Sequence, residues 1–284
     1  MITVNGILVN YGRENYDGAF PSGEPKLVQC WAPDEEQNLV KFRYENDAEM
    51  YYVFCIGVQL RQTCPQATNI LYMEYIPNAR CDKPFGRDGD LMHANAINAA
   101  LFNPWFDKIY GVEPHSDDFR KQYKNAVPIY PTATALVDVR RYLESNRNIQ
   151  WVFPDKGAFT RYQGQLPGVT EDDIIIIGKH RTNGVIDKTE IESGAPRSGY
   201  DLVIVDDLCS KGGTFYGAGE KLRAAGADGD IYLVISHLEP TVFRGKLLGV
   251  DSPIERIFVC TKSLGELPHP KIVYLNTDYQ KEVE

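Results

Sequence analysis

Six short apolar runs rich in β-branched and aromatic residues recur along the chain, at 69–75, 108–115, 149–155, 173–180, 201–207 and 230–237. Each has the length and composition of a buried strand. Between them, 91–102, 134–146 and 214–226 carry apolar residues at helical spacing. In the last, Phe215, Ala218, Leu222 and Ala225 are predicted to share one face, and Gly226 to close the helix. Strands that alternate with helices predict an α/β fold of mainly parallel sheets covered on both faces.

A length of 284 residues exceeds what one core needs, which favours two domains. The prolyl stretch VPIYPTA places the boundary near Pro128 to Pro131, giving domains 1–130 and 131–284. A net charge of −9 argues against a broad nucleic-acid or anionic-membrane surface. No apolar run approaches the ~20 residues that span a bilayer. The start, MITVNGILVNYGREN, does not read as a secretory signal, so a cytoplasmic location is expected. The scattered cysteines form no CxxC pair, and most are expected as small apolar residues in or near strands.

Polar residues gather just after the predicted strands: Glu113 and His115, Asp155, Lys179 to Arg181, and Asp206 to Thr214. The carboxyl ends of strands form the ligand crevice of open α/β sheets, so these clusters are expected to converge. The most specific string is YDLVIVDDLCSKGGTFYGAGEKLRAAGA. A buried strand ends in Asp206 and Asp207, and a loop through Ser210, Lys211, Gly212 and Gly213 leads to Thr214 and a helix. Paired glycines allow a tight turn, and the amides at the helix start can hold a phosphate. Ser210 and Thr214 can add hydroxyl donors and Lys211 a charge. The acids can bind ribose hydroxyls or orient a magnesium-bound ligand. A bare GGT turn would equally suit a plain strand–turn–helix. The whole string resembles the 5-phosphoribosyl 1-diphosphate loop of type I phosphoribosyltransferases and ribose-phosphate pyrophosphokinases.

Further motifs separate those two groups. FPSGE, with Phe20 and Glu24, resembles the adenine-contacting element of the pyrophosphokinases. NARCD resembles their arginine segment and carries Arg80 and Asp82. YGVEPH resembles the family's strand ending in D-x-H and brings His115. VFPDKG places Asp155 where the family has a second magnesium-associated acid, and GKHR carries Lys179 and Arg181 like the family's K-x-R pair. Singly each is weak: His115 could be a structural histidine, and Asp155 a helix cap. Together they follow the family's order at family-like spacing.

The resemblance implies two phosphoribosyltransferase-like domains with the active site at their junction, the first mainly for ATP and the second for the ribose phosphate. It implies transfer of the βγ-diphosphate of ATP to the C1 hydroxyl of ribose 5-phosphate, with Mg2+ as cofactor. Lys179 and Arg181 would stabilise the transferring group. Phe20, Glu24, Arg80, Asp82 and His115 would bind ATP, and His115 and Asp155 would hold the metal or its water. A homo-oligomer, dimer or larger, and a product used in nucleotide or NAD metabolism are expected. Departures from the family pattern are Glu113 for the D of D-x-H, Cys81 for glutamine, Lys211 in the loop, a short tail, and only 19 residues before Phe20, so that the family's usual first helix is expected to be missing. Lys211 either faces solvent or compensates a larger, more charged acceptor, which keeps ADP-ribose open as the acceptor. A phosphoribosyltransferase and a non-catalytic regulatory relative are the rival readings.

Overall fold

Two sheets account for the apolar runs. The computed structural model describes residues 1–9, 27, 31–81, 94–143, 148–166, 169–182 and 185–275, with backbone alone at 94 and over 179–182 and 185–189. The chain divides into two units, Met1–Ile129 and Tyr130–Glu284.

In the first unit, β1 (Ile2–Val4) pairs antiparallel with β2 (Ile7–Leu8) and with β3 (Gln37–Phe42). From β3 the sheet continues in parallel through β4 (Thr68–Met73), β5 (Lys108–Val112) and β6 (Ala126–Ile129). The connecting helices are α1 (Ala48–Thr63), α2 (Ala94–Phe102) and α3 (Asp118–Gln122). Val40, Phe42, Leu71, Met73 and Ile109 of the sheet share one core with Val53, Ile56 and Leu60 of α1 and Phe102 of α2. Pro65 ends α1, because the residue before a proline is driven out of the helical region; Cys64 sits at φ −129° and ψ 74°. The run predicted as a strand over 108–115 stops at Val112. Glu113 adopts φ 48°, a left-handed conformation that no strand can continue, and it is buried.

The second unit holds a sheet in the order β13-β12-β11-β10-β7-β8-β9. Its strands are β7 (Asn148–Phe153), β8 (Ile174–Thr182), β9 (Val185–Ser193), β10 (Tyr200–Cys209), β11 (Ile231–Leu238), β12 (Arg256–Val259) and β13 (Ile272–Tyr274). All neighbours are parallel except β8 and β9. The helices are α4 (Pro131–Leu143), α5 (Lys156–Tyr162) and α6 (Gly213–Ala224). Pro131, at the first position of α4, starts that helix three residues before the expected 134, a place where its missing N–H is harmless.

Strand β10 shows why its run is apolar throughout. Leu202 and Ile204 enter the core under α6, with Phe215, Ala218 and Leu222. Val203 and Val205 point the other way, into a core with Ala135, Leu136 and Val139 of α4 and Ala158 and Tyr162 of α5. Both faces of the sheet are thus covered, as alternation along a strand requires. Ala225 does not join the buried face of α6: it is the C-terminal cap and stands exposed, with Gly226 following at φ 97°. The cysteines also differ from expectation. Cys209 and Cys260 are buried at strand ends, whereas Cys55 lies within α1 and Cys64 caps it.

Candidate functional site

From β10 the chain adds β11, β12 and β13 on one side of the sheet, while β7 is followed by β8 and β9 on the other. The carboxyl ends of β7 and β10 therefore flank the point where the strand order diverges, the place where open α/β sheets form a ligand crevice. Asp155 follows β7, and Asp206, Asp207 and the loop to α6 close β10.

Asp155 is the N-terminal cap of α5. Its backbone is extended, and its Oδ1 accepts a 3.0 Å hydrogen bond from the Ala158 amide. The cap thus fixes the helix that carries Arg161. The Arg161 guanidinium reaches back to β10, with Nη1 3.0 Å from Asp207 Oδ1 and 3.5 Å from Asp206 Oδ1. All three side chains are largely buried, at 15%, 16% and 7% exposure for Arg161, Asp206 and Asp207. Burial disfavours the charged guanidinium, but Asp207, Tyr162 and Asp206 together override it and hold Arg161 above its ordinary value. Burial and the Asp207 charge push the Asp206 carboxyl well above the ordinary carboxylate range, against the pull of Arg161. Asp206 Oδ1 also accepts the Asp207 amide at 2.9 Å. Arg161 is the group that sequence reading overlooked. It stands six residues after Asp155 in the same helical string, but only the packing of α5 against β10 gives it a partner.

The loop that follows is shaped by glycine. Gly212, the residue before α6, has φ 77°, and a β-carbon there would collide with Leu247. Gly213 needs no such freedom in the protein itself, since a β-carbon there meets nothing within 4 Å. The space beside it opens outward, next to first-turn amides that have no carbonyl four residues back within the helix. The first helical bond runs from the Tyr216 amide to the Gly212 carbonyl at 2.9 Å. Thr214 and Lys211 are exposed, and Ser210 is half-buried with its Oγ 3.0 Å from Thr241 Oγ1. An anion seated here would meet aligned N–H groups and the positive end of the α6 dipole.

Lys179 and Arg181 lie on β8, in register with Thr189 and Ile186 of β9, with an irregularity between His180 and Arg181. In the first unit, Arg80 follows β4 on an exposed turn, and half-buried His115 follows β5 just beyond the left-handed Glu113. Phe20, Glu24 and Asp82 lie outside the described residues. Among the described residues, no three His, Cys, Asp or Glu side chains gather into a metal cage. Asp206 and Asp207 are already ion-paired to Arg161. A magnesium ion that arrives with phosphates and keeps much of its water would need few protein oxygens here.

The two sheets, the divergence at β7 and β10, and the acid–loop–helix string define a two-domain phosphoribosyltransferase-like α/β protein. The synthetase of phosphoribosylpyrophosphate from Mycobacterium smegmatis shares this fold, with a TM-score of 0.68 at 18% identity over 90% of this chain and 84% of that one. In sequence the chain is similar to ribose-phosphate pyrophosphokinases. It is 27% identical to that of Thermococcus kodakarensis over 77% of this chain and 75% of the relative. To that of Maricaulis maris it is 25% identical over 65% of this chain, a match spanning 58% of the relative's length, less than two thirds. No family model matches the chain.

Proposed function

We propose that the protein is a diphosphotransferase that moves the βγ-diphosphate of ATP to the C1 hydroxyl of ribose 5-phosphate. The observation that carries this reading is the acid pair, glycine loop and helix start at the divergence of the second sheet, where Arg161 braces the acids. The similarity to ribose-phosphate pyrophosphokinases supports it.

In this scheme the amides of Gly213 and Thr214 and the Thr214 hydroxyl take the 5-phosphate. Asp206 and Asp207, held by Arg161, accept hydrogen bonds from the ribose hydroxyls and set the sugar's orientation. The C1 oxygen then attacks the β-phosphorus, its proton is lost, and the bond from β-phosphorus to the bridging oxygen of the α-phosphate breaks, releasing AMP. Little covalent work falls to the protein, and positioning with cationic stabilisation dominates. Lys179 and Arg181 stabilise the diphosphate in transit, and Arg80 with His115 binds the nucleotide phosphates. Magnesium arriving with the nucleotide would neutralise those phosphates, and His115 and Asp155 are the residues that would hold it or its water.

The exposed Lys211 favours a second reading, in which the acceptor is the terminal ribose of ADP-ribose and the lysine meets the extra phosphate. The test offers ATP and Mg2+ with each acceptor separately and follows AMP and product mass. A product gaining diphosphate on ribose 5-phosphate supports the main reading, and gain on ADP-ribose alone supports the second. AMP formation with neither would sink both and favour a phosphoribosyltransferase or regulatory role. Lys179→Ala should lower kcat by roughly a hundredfold or more, the size typical of losing one transition-state contact.

A further inference from the structure

Behind the loop, the segment that leaves β11 forms a wall. The Glu239 amide bonds to the Cys209 carbonyl at 2.9 Å, tying the end of β10 to the exit of β11. Gly245 lies so close to the loop that a β-carbon there would collide with the Lys211 carbonyl oxygen, and Leu247 fills the space under Gly212. Within this wall Thr241 Oγ1 is 3.1 Å from Glu239 Oε2 and 3.0 Å from Ser210 Oγ.

These three groups form a chain with a fixed direction. A carboxylate only accepts, and a hydroxyl has one proton. The Thr241 proton points to Glu239, so the Thr241 oxygen can only accept from Ser210. The Ser210 proton is therefore turned inward, and only lone pairs face the ligand side. We propose that Glu239 and Thr241 are positioning residues that make Ser210 a hydrogen-bond acceptor for a hydroxyl of the sugar, leaving the phosphate to the amides and Thr214. This inference rests on the ribose-phosphate reading of the loop. It also revises the sequence-based expectation that Ser210 donates: lone pairs facing a phosphate oxygen would repel it, whereas a sugar hydroxyl supplies the missing proton.

The variants Thr241→Val and Glu239→Gln test it on the full chain, with Thr241→Ser as the conservative control. Valine removes the inward acceptor. Glutamine can donate to Thr241, which then donates to Ser210, reversing the chain. Either change frees the Ser210 proton to face outward. Calorimetric titration with ribose 5-phosphate and, separately, with inorganic phosphate should show opposite responses. Ribose 5-phosphate should bind about fivefold to tenfold more weakly, the size of a single hydrogen bond. Inorganic phosphate should bind as well as or better than to the unaltered protein. In turnover, KM for ribose 5-phosphate should rise by the same factor while KM for ATP stays constant and kcat stays within about twofold. Thr241→Ser should behave like the parent. Parallel weakening of both ligands, no change in either, or a serine variant as impaired as the valine one would overturn the inference. Should the parent protein transfer diphosphate to neither acceptor, the proposed activity falls, and the titrations still decide the polarity of Ser210. A parent that binds neither probe would refute the polarity as well.

Discussion

Replacing Arg161 with methionine removes a cation that faces two adjacent carboxylates. At an effective dielectric of about 20, unit charges 3.0 Å apart attract by roughly 5 kcal/mol, the case of Arg161 and Asp207, and the 3.5 Å contact to Asp206 adds to it only where that carboxyl is ionised. Desolvation offsets several kcal/mol per buried ion, so the net stabilisation is far smaller than the sum. Deleting one member of such a cluster leaves charge uncompensated and typically costs about 3–5 kcal/mol. The pH dependence gives the sharper test. The Asp206 carboxyl is raised above its ordinary value of 3.8 in the folded protein, so the native state binds its proton more tightly than the unfolded chain. Its contribution to stability is fully present below the unfolded value and is lost as pH rises through the folded one. Without Arg161 the carboxyl rises further, since the group that lowers it is gone. Urea unfolding of Arg161→Met should therefore show a deficit of about 3–5 kcal/mol where the Asp206 carboxyl is ionised, and that deficit should shrink as pH is lowered and the carboxyl takes up its proton. Arg161→Lys should recover part of it, keeping the charge but losing the planar fork. A deficit under ~1 kcal/mol, or one that does not change with pH, would refute the idea that this guanidinium carries the acid pair.

Two further substitutions separate shape from chemistry. Gly212→Ala should destabilise by about 1–3 kcal/mol through its left-handed φ of 77° and the Leu247 collision, seen as a lower urea midpoint. Gly213→Ala, with open space around it, should leave stability within about 0.5 kcal/mol yet raise KM for ribose 5-phosphate, because the methyl stands where the ligand approaches. Asp155→Asn keeps a competent helix cap and should hold stability within about 0.5 kcal/mol, whereas Asp155→Ala should lose about 1 kcal/mol. If Asp155 also serves the nucleotide-bound metal, both variants will raise the Mg2+ concentration needed for half-maximal rate, the asparagine one without a loss of stability. An unchanged Mg2+ requirement would reduce Asp155 to a cap.

What could be read from the sequence follows from how each element is buried. The runs in β4, β7, β10 and β11 were legible because central parallel strands are apolar on both faces. Helix α1 was not, since AEMYYVFCIGVQLRQT carries aromatic and β-branched residues all round and leaves Tyr51 exposed while Tyr52 is buried. Strands β3 and β9 were missed because each is only partly apolar. The acid–glycine loop stood out because backbone chemistry near an anion demands particular residues in a row. Arg161, Glu239 and Thr241 did not, since their roles depend on which helix and which strand exit lie behind that row. A charged or hydroxylated residue in a helix or connection has no sequence mark until its neighbour is known.

On the proposed function, the wall beneath the loop bears on acceptor preference. Gly212 rests on Leu247, and the Lys211 carbonyl against Gly245, so the curvature of the loop is moulded from a stretch more than thirty residues downstream. Proteins with identical loop letters can then diverge in what they accept by exchanging residues between Glu239 and Leu247. The reverse also holds: a loop transplanted without its backing would not carry its selectivity with it. On the proposed function, exchanges in that backing stretch should alter acceptor preference while the glycine string itself stays unchanged.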